Sequence, residues 1–209
     1  MKPIYFQNET IKLQKGDKKD SESIAELIYS SGPEAFSFIH GNKENALKFI
    51  VFEFSTNFPS FSGNSYAWVG KDSMGRVISS AISYSLFQYY LMSIGSIVNI
   101  IMFYQFNCFR VLNRFLFMGK LFKPPKKGEW FLSCFGVAEN LRGKGIGQLI
   151  LIQQMEWARR NNYKCYGLDV AENNPKAKKL YEKMGLIEVK FKQSPTRKVP
   201  NAHLMRITL

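Results

Sequence analysis

Hydrophobic and polar positions along the chain switch repeatedly between a period near two and a period near 3.6. Ile11 and Leu13 alternate with Lys12 and Gln14, which predicts a short edge strand. Asp17 to Ser21 offers helix caps. Ile24, Leu27 and Ile28 then share one face, and Gly32-Pro33 ends that helix. Pro33 to Ile39 predicts a further short helix closed by Gly41-Asn42. Lys43 to Phe54 carries Ala46, Leu47, Phe49, Ile50 and Phe54 at helical spacing. After a loop rich in Ser, Pro and Gly over Asn57 to Asn64, Tyr66–Gly70 and Val77–Tyr84 read as two strands joined by Asp72-Ser73-Met74-Gly75, a hairpin signal. Ser133–Val137, entered from Trp130 and Phe131, and Tyr166–Val170 are apolar runs of strand length. Ile146, Leu149, Ile150 and Trp157 predict the apolar face of a helix between them. Ile187–Phe191 and His203–Leu209 would be the last two strands.

One stretch breaks this rhythm. Val77 to Phe109 contains no charged residue, so length alone would permit a membrane span. Its many hydroxyls and amides, among them Ser79, Ser80, Ser96, Asn99 and Gln105, argue against one, and its first third is needed as a strand. The expectation is an inserted pair of helices over 86–119. Arg110 and Arg114 stand one turn apart opposite Phe109, Leu112, Phe115 and Leu116, a basic amphipathic helix that suits a lid, a membrane-surface face or a plain core-packed helix with its bases in water.

Composition narrows the class. A chain of 209 residues with 45% hydrophobic content is long enough for one domain with a sizeable core. Cys108, Cys134 and Cys165 are too far apart for a disulfide framework or a zinc site, and no metal site is expected. Lys2 to Lys19 is too polar for a secretory leader, so a reducing, cytoplasmic setting is the expectation. The net charge of +13 fits a polyphosphate ligand or an anionic surface. The bases are spread through helices without stacking aromatics, which argues against nucleic acid.

The candidate chemistry lies in Arg142-Gly143-Lys144-Gly145-Ile146-Gly147, three glycines and two bases between a strand and a helix. Glycines admit close approach of a ligand to the backbone, and a helix start offers unpaired N–H groups and a positive dipole end, together a phosphate cradle. A plain tight turn with solvated bases has the same composition. Neither the G-x-x-x-x-G-K-[ST] loop nor the dinucleotide G-x-G-x-x-G fingerprint is present. The spacing Arg142-x-x-Gly145-x-Gly147 resembles the pyrophosphate loop of the GNAT acyltransferase superfamily. A second segment matches that family's Asn-x-x-Ala-x-x-Leu-Tyr-x-x-x-Gly-Phe pattern at Asn174, Ala177, Leu180, Tyr181 and Gly185, with Leu186 in place of Phe.

The resemblance implies an α/β fold of the GNAT type over residues 1–209. It would be a mixed, mostly antiparallel sheet flanked by helices, with the helical insertion before the fourth strand. It implies an N-acetyltransferase that moves an acetyl group from acetyl-CoA, as co-substrate, to a primary amine of a small molecule by direct attack. Phe135, Gly136 and Val137 would meet the pantetheine arm and the thioester. Arg142, Gly143, Lys144, Gly145, Ile146 and Gly147 would hold the pyrophosphate, Asn174 would bond the arm, and Tyr181 would protonate the leaving thiolate. The general base stays open among Glu34, His40 and a water chain: Phe131–Val137 holds no acid, Glu129 falls too early, and His40 and His203 read as ordinary core or solvent histidines. The aromatic insertion, with Arg110 and Arg114, suggests an acceptor with an apolar body and an anionic group in preference to a polyamine. Two rivals stand beside this reading, a non-catalytic acyl-CoA sensor on the same fold and a membrane-associated protein anchored through 86–117. The oligomeric state is left open, a dimer being one arrangement admitted.

Overall fold

The computed structural model describes residues 4–6 and 9–209, with side chains from Ile11 onward. In chain order the elements begin with β1 (Ile4–Phe6), β2 (Glu9–Lys15), α1 (Ser21–Ser30), α2 (Pro33–His40) and α3 (Lys43–Ser55). Then come β3 (Ala67–Lys71), β4 (Val77–Tyr84), α4 (Leu86–Tyr104), α5 (Cys108–Met118) and β5 (Glu129–Val137). The chain closes with α6 (Ile146–Arg160), β6 (Cys165–Ala171), α7 (Pro175–Lys183), β7 (Ile187–Lys192) and β8 (Ala202–Thr208). The strands form one mixed sheet in the order β1-β2-β3-β4-β5-β6-β8-β7, antiparallel throughout except for β5 beside β6. The strand of Ile11 and Leu13, expected at the edge, is flanked by β1 and β3. The insertion lies directly before the strand of Ser133–Val137, as expected; β1 makes that strand the fifth in chain order.

Local chemistry sets most boundaries. Asn42 caps α3, its side chain accepting from the Asn45 N–H at 2.8 Å. Ser85 and Gln88 form a reciprocal capping box at the start of α4. In the β3–β4 turn the Asp72 carboxylate accepts from the N–H groups of Met74 and Arg76, and Gly75 takes a φ of +78°. Gln105, at φ +46°, ends α4 and turns the chain back into α5.

Two cores sandwich the sheet. Ile24 and Ile28 of α1, Ile50 and Phe54 of α3 and Met92 of α4 pack with Phe131 and Cys134 on one face. Leu151 and Ala158 of α6 and Tyr181 of α7 pack with Trp130, Leu132 and Leu168 on the other. The buried line of α6 runs Ile146, Ile150, Gln154, Ala158, with Leu149 and Trp157 only half-buried at its margins. The face expected from the sequence is thus rotated and includes a glutamine, whose Oε1 accepts from the Ser83 hydroxyl at 2.7 Å.

The α4–α5 pair is built into the molecule. The helical stretch Leu86–Met118 is long and apolar enough to cross a membrane by length and composition. Its inner side, however, carries Gly95 against the Pro59 carbonyl, where any Cβ would collide, and Ser96 and Asn99 donate to the fully buried Glu53 of α3. Glu53 also accepts from the Ser62 N–H and hydroxyl. Withdrawing α4 into lipid would strip Oε1 of this carboxyl group of both its donors, a large cost for a buried polar group.

Candidate active site

The site begins where the sheet comes apart. β5 and β6 pair in parallel only from Glu129↔Cys165 to Leu132↔Leu168. Beyond that point β5 follows β4 as far as Val137, while β6 follows β8 as far as Ala171. The facing edges of Ser133–Val137 and Asp169–Ala171 are left open toward each other, a wedge of unpaired backbone polar groups that an extended ligand can enter. Glu129 sits at the closed end. It is buried, held bidentately by Arg206 at 2.7 and 3.0 Å and by the Lys126 N–H at 2.7 Å, and is a structural ion pair.

Below the open end lies the glycine loop. Gly143 and Gly145 take φ of +76° and +87°, and Gly145 stands at the cap of α6 with no side chain capping it. The first helical hydrogen bond is Leu149 N–H to the Gly145 carbonyl, so the N–H groups of Ile146 and Gly147 have no intrahelical acceptor. Arg142 turns back so that its Nε donates to the Val137 carbonyl at 2.9 Å, fixing the loop to the end of β5. Lys144 is exposed. Gly147 lies beside the Phe135 ring and Leu180. This uncapped, cationic helix start fits a pyrophosphate. Gly136 has a different duty: a Cβ there would strike the Leu27 carbonyl, so it admits the backbone of α1 onto β5.

On the α6–α7 face, Asn174 caps α7 by accepting from the Ala177 N–H at 3.1 Å, and its side-chain nitrogen donates to no group among the described residues. Tyr181 is the buried residue of α7, and burial pushes its phenol well above the ordinary value. It is therefore protonated throughout the physiological range.

On the opposite face, a cavity of about 290 Å³ runs from the wedge toward the α4–α5 pair, with predominantly apolar walls that include Phe36, Ile97 and Phe115. Its ionisable lining is Glu34, His40, Glu53, Tyr84, Tyr89, Lys123, Cys134 and Asp169. Arg110 and Arg114 do not line it. Arg110 is exposed, and Arg114 lies over the Phe38 ring at 5.8 Å. The expected preference for an anionic acceptor loses its basis, because the side chains on which it rested point elsewhere. Of the expected bases, His40 is buried, stacks on Phe49 at 4.4 Å, and faces the Tyr104 hydroxyl from 3.0 Å. Burial lowers its pKa to about 3, so it cannot retain a proton taken near neutral pH. Glu34 accepts from Asn173 at 3.0 Å across the mouth. Burial also pushes the Cys134 thiol up, which leaves it a poor nucleophile.

Asp169 stands out, and sequence reasoning missed it. It is the first residue of β6 past the last β5 pair, at the apex of the wedge. Its Oδ2 accepts from Lys192 at 2.6 Å, while its buried Oδ1 has no partner among the described residues. Burial raises its pKa, with Lys192 opposing. The signal was present in the sequence: one acid in the otherwise apolar run Tyr166-Gly167-Leu168-Asp169-Val170.

The comparisons agree with this geometry. Residues 61–186 match the model of the acetyltransferase (GNAT) family. No curated protein matches the chain. Among solved structures, an N-acetyltransferase from Staphylococcus aureus Mu50 superposes with a TM-score of 0.67 at 18% identity, covering 94% of this chain and 100% of that one. A structure described as an acetyltransferase gives 0.63 at 19% identity, covering 94% and 98%. A GNAT-family acetyltransferase from Listeria monocytogenes 4b F2365 gives 0.55 at 10% identity, with both chains fully covered. At these identities the structures speak for the fold, and the family match extends over more than half of the sequence. Strand wedge, glycine loop and family match together place this chain in the GNAT acetyltransferase family.

Proposed function

We propose that the protein is an N-acetyltransferase that uses acetyl-CoA to acetylate a primary amine of a small molecule by direct attack. The observation that carries this reading is the opening between β5 and β6, which has the Asp169-lined cavity on one face and Tyr181 on the other. Such an opening lets an acceptor amine and a leaving thiolate be served from opposite sides. Acetyl-CoA would supply the activated acyl group as a thioester.

The N–H groups of Ile146 and Gly147, with Lys144 beside them, would hold the pyrophosphate. The open edge of Ser133–Val137 would pair with the pantetheine arm and present an N–H near Phe135 to the thioester oxygen. Asn174 would donate its free amide hydrogens to the arm. Asp169 Oδ1 would accept a hydrogen bond from the acceptor amine and take its proton as the nitrogen attacks. A C–N bond then forms, the C–S bond breaks, and Tyr181 would give its proton to the departing sulfur. The high thiol pKa of Cys134 favours direct transfer over an acyl-cysteine. The apolar walls favour an amine with an aromatic or aliphatic body.

The test is thiol release from acetyl-CoA with a panel of aromatic amines, aliphatic amines, amino acids, aminoglycosides, polyamines and basic peptides. Highest kcat/KM on amines with apolar bodies is expected. Tight acetyl-CoA binding with no acceptor-dependent thiol release would instead favour an acyl-CoA sensor.

A further inference from the structure

The α4–α5 pair hides one side and exposes another. On α4, Phe87, Tyr90, Ile94 and Ile101 fall on one stripe, and all four are exposed. At the elbow Phe106 is 95% exposed, and Phe109 follows at 78% on α5. Large apolar side chains so grouped on a soluble surface mark an interaction site. The charge along this stretch of the chain has one sign. No acid occurs between Asp72 and Glu129, and Arg110, Arg114, Lys120, Lys123, Lys126 and Lys127 fall within that span. None of the six is in an ion pair among the described residues.

We propose that the outer face of α4–α5 seats the protein on an anionic lipid bilayer. Apolar and aromatic side chains would enter the headgroup–acyl boundary, while the flanking bases meet lipid phosphates. The same charges disfavour a second copy as occupant, because a symmetric contact would bring two sets of unpaired cations together. The contact is interfacial and not a span, since the inner side of α4 is committed to Glu53 and Pro59. Leu116 and Phe122 are exposed and also line the cavity, so its mouth opens beside this face.

The test is flotation of the full chain with phosphatidylcholine vesicles and with vesicles containing phosphatidylglycerol, without acyl donor, so that the result does not depend on the proposed reaction. Binding to the anionic vesicles that weakens with added salt, and little binding to the zwitterionic ones, is expected. Phe106→Ser/Phe109→Ser and Arg110→Glu/Lys120→Glu should each reduce the partition coefficient about tenfold or more while keeping the parental melting temperature. Absence of binding at low salt, or variants that bind like the parent, would overturn the proposal. So would a dimer in sedimentation that the Phe106/Phe109 variant dissolves, with no vesicle binding.

Discussion

Lys192 Nζ lies 2.6 Å from Oδ2 of Asp169, with each side chain only 10% exposed, and the other oxygen of the same carboxylate has no donor among the described residues. One half of the group is neutralised and held in place; the other half is available at the apex of the strand wedge. If Asp169 takes the amine proton, Asp169→Asn should lower kcat by about 10²–10⁴-fold while leaving acetyl-CoA affinity near the parental value. Lys192→Met should be more damaging to stability, by about 3–5 kcal/mol, because it leaves a buried carboxylate without its cation. Steady-state kinetics and urea unfolding of the two variants check this. Parental turnover in Asp169→Asn would remove the carboxylate from the reaction.

Tyr181 is on the other face, where burial keeps its phenol protonated. Tyr181→Phe removes one oxygen from a packed aromatic ring, so the fold should persist. Turnover at saturating acceptor should fall about 10²–10⁴-fold with little change in coenzyme affinity. Unchanged turnover would make Tyr181 a packing residue of α7.

Lys144 is exposed in the glycine loop, and reversing its charge leaves the positive-φ glycines untouched. Lys144→Glu should weaken acetyl-CoA binding about tenfold, and so reduce the rise in melting temperature that acetyl-CoA produces by mass action. Calorimetry or thermal melts at several coenzyme concentrations read both. An equal thermal response in parent and variant would displace the phosphate site from this loop.

His40 makes stability depend on pH. Its pKa falls from 6.5 to about 3 on burial, so the folded state holds the neutral ring. That contribution is complete above pH 6.5 and is lost as pH falls from there toward 3. The loss is about 1.4 kcal/mol per pH unit where the unfolded ring is charged and the folded one is not. In His40→Gln this part of the acid sensitivity should disappear, leaving a shallower decline of unfolding free energy between pH 6.5 and 4. Identical slopes would mean that the ring ionises within the fold.

The elements were legible in the sequence because they follow from local pattern. Period-two and period-3.6 spacing and the Asp72–Gly75 turn are short-range properties, and the described strands and helices follow them closely. The glycine loop was legible for the same reason, since contiguous residues build a helix start, and the Asn174–Gly185 segment was legible through its resemblance to the family pattern. What required the tertiary structure was which side chains meet across distance. Asp169 is an ordinary strand residue until β5 parts from β6 beside it and Lys192 arrives from β7. Gly136 belongs to the packing of α1, a contact with Leu27 that no local spacing reveals. Gln154 joins the buried line of α6, where Ser83, on a distant strand, donates to its Oε1. Arg110 and Arg114 have the spacing of a cavity rim, yet helix orientation turns them away from it. Sequence spacing determines the direction of a side chain relative to its own helix or strand; only the docking of elements on one another decides what that side chain faces.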